Sequence, residues 1–169
     1  SLDDGTSWER VFTSALANVD SLNLVELSPR YNGNQVVFLA GTSNGNPAIW
    51  KSTDNGQSFS PLRTIPPPVD TWAVISDTTL FIGSHDGGNG LIYRTTKRGL
   101  TYSSTKIGSQ PLNSIVLSPD YNEDETLLVG NSAGWVYWSE DNGASFEPLP
   151  PEAASPPLTG TITAVSYTH

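Results

Sequence analysis

The octet SEDNGASF, residues 139–146, decides the fold, because the chain repeats it. STDNGQSF occupies 52–59 and SLDDGTSW occupies 1–8, each with Ser, Asp, Gly, Ser and an aromatic in fixed places. A degenerate copy, TTKRGLTY at 95–102, keeps Gly99, Thr101 and Tyr102 but has Lys97 where the others have Asp. The copies recur about every 45 residues. A second marker shares that period: LSPRYN at 27–32 returns two periods later as LSPDYN at 117–122. Self-similarity at this spacing marks an architecture built by repeating one supersecondary unit.

Between the markers, apolar residues come in short bursts bounded by Gly, Asn, Asp and Pro, which is strand-and-turn patterning. The period from 112 to 150 reads NSIVLS, ETLLVGNS, GWVYWS and, after the turn EDNGAS, FEPLP. The period from 19 to 65 reads LNLVELS, QVVFLAGTS, AIWKST and FSPLRTI; that from 69 to 107 reads TWAVIS, TLFIGS, GLIYRTT and YSSTKI. The nearest approach to a helical pattern, ERVFTSALANV at 9–19, lacks a charged face. Four short strands in a repeat of this length predict an all-β chain, a β-propeller of four-stranded antiparallel blades.

The recurring turn falls between the third and fourth strands of each blade. Its Asp is expected to accept backbone N–H groups two or three residues on, and Gly56 and Gly143 to take the positive φ of a tight turn. The aromatics Trp8, Phe59, Tyr102 and Phe146 start the fourth strand and are expected to bury themselves between sheets.

S-x-D-x-G-x-[ST]-W resembles the Asp-box, or BNR repeat, of sialidases, sortilin-type receptors, xyloglucanase-type glycosidases and photosystem assembly factors. The matching residues are Ser1, Asp3, Gly5, Ser7 and Trp8; Ser52, Asp54, Gly56, Ser58 and Phe59; and Ser139, Asp141, Gly143, Ser145 and Phe146. The stretch LSPDYNEDETLLVGNSAGWVYWSEDNGASF is similar to blades of secreted bacterial proteins of this type. The resemblance implies the propeller fold; it implies no activity, because the same box occurs in enzymes and in binding proteins.

On this reading residues 1–169 are one propeller domain or a fragment of one. A partial blade covers 1–13, and whole blades cover about 19–65, 69–107 and 112–150. A further blade starts at 159–169 after the Pro-rich 148–158. The chain opens inside a motif, as a processed, trimmed or excerpted sequence would. Either it is an arc of a larger ring, or 159–169 pairs with 1–13 to close the ring. The arc is favoured, because a shared blade would lack its second strand. An arc would leave Trp8, Phe12, Ile162 and Val165 exposed and would need remaining blades from the same or a neighbouring chain.

Composition narrows the function. A net charge of −9 with only eight Lys plus Arg argues against a nucleic-acid partner, since a phosphate backbone needs clustered cations. No apolar run approaches the roughly 20 residues that span a bilayer. With no Cys there is neither disulfide nor thiolate metal site. A sialidase needs an arginine cluster, a Tyr/Glu pair and an acid Asp. The five arginines (Arg10, Arg30, Arg63, Arg94, Arg98) and the loose match LRTIP at 62–66 do not assemble that set. Other glycosidases need two carboxylates across a cleft, and acids such as Asp20, Asp70, Asp77 and Asp86 cannot be paired from sequence.

Asp120, Asn122 and Asp124 share the i, i+2, i+4 spacing of a calcium loop, but Glu125 replaces its Gly and Asn131 its terminal Glu. A solvated loop between strands is the better reading. HDGGNG, with His85, reads as a flexible hairpin, and His85 and His169 make no metal spacing. No G-x-S-x-G elbow is present. Trp50, Trp72, Trp135, Trp138 and Tyr137 are core residues first and a sugar platform second, with Trp135 and Tyr137 on one side of their strand and Val136 and Trp138 on the other.

No catalytic residue and no cofactor is assigned. The expectation is a non-catalytic scaffold or binding module at the cell surface or outside, taking a protein or glycan ligand on loops 30–35, 85–90 and 120–125. The alternative is a fragment of a sialidase- or xyloglucanase-like glycoside hydrolase.

Overall fold

The computed structural model describes residues 4–8, 16, 18–62, 68–150, 155–156 and 158–162, in two compact units, Ser1–Leu62 and Arg63–His169. Expectations that rest on Ser1, Asp3, Arg10, Phe12, Arg63, Val165 or His169 lie outside the described residues, as do most of 1–13 and 159–169.

The first unit holds β1 (Val19–Leu27), a one-turn helix α1 (Tyr31–Asn34), β2 (Val37–Ser43), β3 (Asn46–Ser52) and β4 (Ser60–Pro61). They form one antiparallel sheet in the order β1-β2-β3-β4. The second unit repeats the plan twice. One sheet is β5 (Thr71–Val74), β6 (Leu80–Asp86), β7 (Asn89–Thr95) and β8 (Ser103–Ile107). The other is β9 (Leu112–Leu117), β10 (Leu127–Asn131), β11 (Val136–Ser139) and β12 (Glu147–Pro148), with a helix α2 (Tyr121–Asp124) between its first two strands. Among the described residues no sheet closes on itself. The chain is all-β, in blade-like antiparallel sheets of four strands.

Short turns between sequential strands leave each sheet no other order. The second strand is covered on both faces and therefore reads as an unbroken apolar run rather than an alternating one: Val37 to Ala40 and Leu80 to Ile82 are all buried. In the second unit the core joins two sheets. Phe81 and Ala73 of one pack with Leu112, Ile115, Leu127 and Val129 of the other, and Tyr121 meets the Phe81 ring edge-on at 6.3 Å. Gly83 sets their approach. A Cβ there would lie 2.5 Å from Thr71 Cγ2 and 3.3 Å from Leu112 Cβ.

Ile162 lies over Gly130 as Leu112 lies over Gly83, and its N–H donates to the Asn131 carbonyl at 2.9 Å. Ile162 is therefore buried, contrary to the expectation of an exposed apolar face, whereas Trp8 is exposed. The loops expected at 30–35 and 120–125 are helical turns. Gln35 and Glu125, left-handed at φ +53 and +50, cap them by donating to the Tyr31 and Tyr121 carbonyls. Four residues give no period to detect.

Candidate functional site

The recurring turns can be followed atom by atom. In the 52–59 turn, Ser52 Oγ donates to Asp54 Oδ1 at 2.7 Å and accepts the Gly56 N–H at 2.9 Å. Asp54 Oδ1 accepts the Ser58 N–H at 2.9 Å, and its Oδ2 accepts the Ser58 hydroxyl at 2.5 Å. The 139–146 turn repeats the set: Ser139 Oγ to Asp141 at 2.8 Å, Gly143 N–H to Ser139 Oγ at 3.0 Å, and Ser145 N–H and hydroxyl to Asp141 at 2.9 and 2.6 Å. In the 95–102 copy, Thr95 Oγ1 accepts the Gly99 N–H at 3.1 Å, and Lys97 stands in the aspartate's place.

The common element is therefore the hydroxyl at the first position, which the sequence reading left without a role. The aspartate's stronger partner lies four residues on, at Ser58 and Ser145, and the N–H three residues on, of Gln57 and Ala144, bonds it more weakly. All four copies share one backbone signature, a pair of positive φ values: +52/+87 at Asp4-Gly5, +60/+80 at Asn55-Gly56, +55/+75 at Arg98-Gly99 and +60/+79 at Asn142-Gly143. The aromatics bury less than expected. Phe59, Tyr102 and Phe146 are half-buried, and Trp8 stays in solvent with its indole N–H on the Gly5 carbonyl at 3.1 Å.

These bonds occupy the turn carboxylates. The hydroxyl and N–H of Ser58, then the Ser52 hydroxyl, hold Asp54 down at about 2 from an ordinary 3.8; Ser145 and Ser139 do the same for Asp141. A general acid or base near neutral pH needs the opposite shift. Because the folded-state value is depressed, the stabilisation is complete above 3.8 and fades as pH falls toward 2. Asp141→Asn is expected to flatten the acid arm of a melting-temperature profile over that window. The loss is about 1 kcal/mol or less, given how exposed the group is. Circular dichroism melts across the acid range check it.

A second set of contacts explains why the two sequence markers share a period. The Tyr31 hydroxyl donates to Asn55 Oδ1, and the Tyr121 hydroxyl to Asn142 Oδ1. The backbone follows: Asn55 N–H to the Gln35 carbonyl at 3.2 Å and Asn142 N–H to that of Glu125 at 3.2 Å. In the remaining sheet Arg98 N–H reaches the Thr78 carbonyl at 3.0 Å, and the connection it meets carries no tyrosine. Tyrosine and asparagine are present together or absent together.

Asp120, Asn122 and Asp124 are not brought together as ligands. Asp124 turns back on its own loop, accepting the Ser118 hydroxyl at 2.6 Å and the Thr126 N–H at 2.9 Å. No group of three or more potential metal ligands exists among the described residues. The loops 30–35 and 120–125 lie at the end of their sheets that carries the Ser-Asp-Gly turn, whereas 85–90 joins second and third strands and lies at the opposite end of its own sheet. They are therefore not equivalent loops of one blade end.

At that opposite end, acceptors flanking the first strand tie down the hairpin. Asp20 accepts the Gly45 N–H at 2.8 Å, Asp70 holds His85 Nδ1 at 2.6 Å, and Gln110 accepts the Ser132 hydroxyl at 3.4 Å. His85 is thus the second sheet's version of a structural tie.

Of the tryptophans, Trp50 and Trp72 are core. Trp135 and Tyr137 share a side as expected, stacked at 6.1 Å and 28° and half-buried. Burial raises the Tyr137 hydroxyl above its ordinary value. Trp138 faces the other way, and with Ser139, Glu140, Asp141, Ser145 and Glu147 it lines an open notch of about 170 Å³. Glu147 stands opposite Trp138 across the β11–β12 pair. The notch offers an indole beside two surface glutamates, with no Lys or Arg among its lining residues. Sequence could have pointed to it, because Trp138 directly precedes the turn and Glu140 lies within it.

No family model and no curated protein matches the chain. Among solved structures it is similar to the crystal structure of a GH74 enzyme from Niastella koreensis, with a TM-score of 0.58 and 22% identity. The match covers 84% of this chain but only 24% of that one, and at this identity the likeness speaks for the propeller-like fold alone.

Proposed function

We propose that these blades are of the Asp-box type and form a non-catalytic scaffold whose wall binds glycan, at the cell surface or outside the cell. The notch at Trp138 carries this reading. Its central acid, Asp141, is committed to the turn and held near 2, so it supplies no proton transfer near neutral pH. What is left is an aromatic face flanked by the Glu140 and Glu147 carboxylates, which suits the apolar face and the hydroxyl edge of a sugar ring. Among the described residues no helix is long and apolar enough to cross a membrane.

A second reading is a fragment of a glycoside hydrolase, favoured by the likeness to the GH74 enzyme. One experiment separates the two. The chain is titrated calorimetrically with soluble β-glucan oligosaccharides, and reducing ends are assayed in the same mixtures. The scaffold reading expects binding that weakens about tenfold in Trp138→Ala, with no new reducing ends. Release of reducing ends supports the hydrolase reading, and the absence of binding across the panel overturns the glycan assignment.

A further inference from the structure

The second sheet departs from the other two at its outer edge. β4 and β12, the fourth strands of the first and third sheets, are 2 residues long, whereas β8 runs for 5, Ser103–Ile107. β8 pairs with β7 on one side only. In such a strand every second residue turns its N–H and C=O away from its partner. Among the described residues, β7 alone bonds the backbone of β8, and Ser103, Ser104 and Lys106 are exposed.

The same strand lies in a basic stretch of an acidic chain. No Asp or Glu occurs between Asp86 and Asp120, yet Arg94, Lys97, Arg98 and Lys106 do, half of the chain's eight Lys plus Arg. Lys97 and Arg98 occupy the positions that hold Asp and Asn in the 52–59 and 139–146 turns. Both are exposed at the foot of β8, beside Leu100, which is 53% exposed. The turn that carries them is fixed, with the Gly99 N–H on Thr95 Oγ1 and the Arg98 N–H on the Thr78 carbonyl. Ser104 and Lys106 share one face of β8. On the other face the Thr105 hydroxyl donates to the Gly143 carbonyl at 3.1 Å, which braces the strand without taking a backbone group from it.

We propose that β8 is a docking edge for an extended acidic peptide segment of a partner protein, which adds to the second sheet as a fifth strand. Main-chain bonds to the outward N–H and C=O groups hold the segment. Carboxylates on its alternate residues face Lys106 and, beyond the start of β8, the Lys97-Arg98 turn. A second copy of the chain is the poorer occupant. Another β8 brings its own Lys106 and no carboxylate, and lysine on an edge disfavours pairing with a like strand. β4 and β12 are too short to serve as the added strand. The inference does not depend on whether the notch at Trp138 binds glycan.

The probe is a fluorescently tagged synthetic heptapeptide alternating Thr and Glu, titrated with the intact chain and followed by anisotropy. Binding is expected, and it should weaken about tenfold in Lys106→Glu, with Lys106→Gln standing in if that variant does not fold. Two further peptides carry N-methyl groups on every Thr or on every Glu. Only one set of peptide amides can face β8, so one of the two should lose binding while the other keeps it. Four outcomes overturn the proposal. No binding by the heptapeptide would mean that the edge takes no acidic strand. Equal binding by both methylated peptides would mean charge attraction without strand addition. Equal binding by a heptapeptide alternating Thr and Lys, or unchanged binding to Lys106→Glu, would mean that charge does not select the partner. Amides of Ser103–Ile107 that gain exchange protection as the chain alone is concentrated would mean that a second copy takes the edge.

Discussion

Replacing Phe81 with alanine will lower the melting midpoint of the unit Arg63–His169 by roughly 10–20 °C, equivalent to about 3–5 kcal/mol. Phe81 is fully buried and touches every layer of that unit. Its ring takes the edge of Tyr121, lies under the Arg94 guanidinium at 6.0 Å, and closes on the turn glycine Gly143. Truncation would remove the apolar contact and open a cavity between two sheets, beside a strand, β6, that is fixed by pairing on both sides. Such a site collapses poorly, which places it in the upper part of the large-to-small range. Differential scanning calorimetry reads the shift directly. A change of only a degree or two would mean that the two sheets do not share this core.

The second large effect separates two copies of one turn. Gly56 and Gly143 have the same backbone, φ +80 and +79, so alanine at either incurs the same left-handed strain of about 1–2 kcal/mol. Their surroundings differ. A Cβ at 56 meets only the Phe59 ring at 3.9 Å, whereas one at 143 would lie 2.7 Å from Phe81 Cε1. Gly143→Ala is therefore expected to cost about 1–3 kcal/mol more than Gly56→Ala, the usual penalty of overpacking a filled core. Urea titration of both variants gives the comparison. Equal losses would show that the Phe81 ring yields without cost.

Why these elements were or were not visible in the sequence has physical reasons. The strands are legible because their apolar residues come in short bursts that Gly and Asn-Gly pairs interrupt. The turn is legible as a repeat, and so are its Asp-to-backbone bonds and positive-φ glycines, but not the role of the first-position hydroxyl. Asp invites a hydrogen-bonding role by its charge, yet Thr95 shows that the hydroxyl closes the turn without it. The tyrosine–asparagine contacts join residues 24 and 21 positions apart. Only the shared loss of both partners from the middle sheet betrays them. The opposed ends of 30–35 and 85–90 follow from counting strands in a meander. Ile162 shows the limit: its burial depends on Gly130 making room, and no local pattern around 162 carries that information.

The central claim is that one hydroxyl-to-glycine hydrogen bond, repeated in every sheet, ties each third strand to its fourth. Amide hydrogen exchange on the intact chain tests it most directly. Gly56, Gly99 and Gly143 sit in turns, yet their N–H groups bond to Ser52, Thr95 and Ser139. All three are predicted to exchange as slowly as amides of the adjoining strands, with Gly99 protected although its turn has lysine in place of aspartate. Free exchange at these glycines while the strands remain protected would contradict the account.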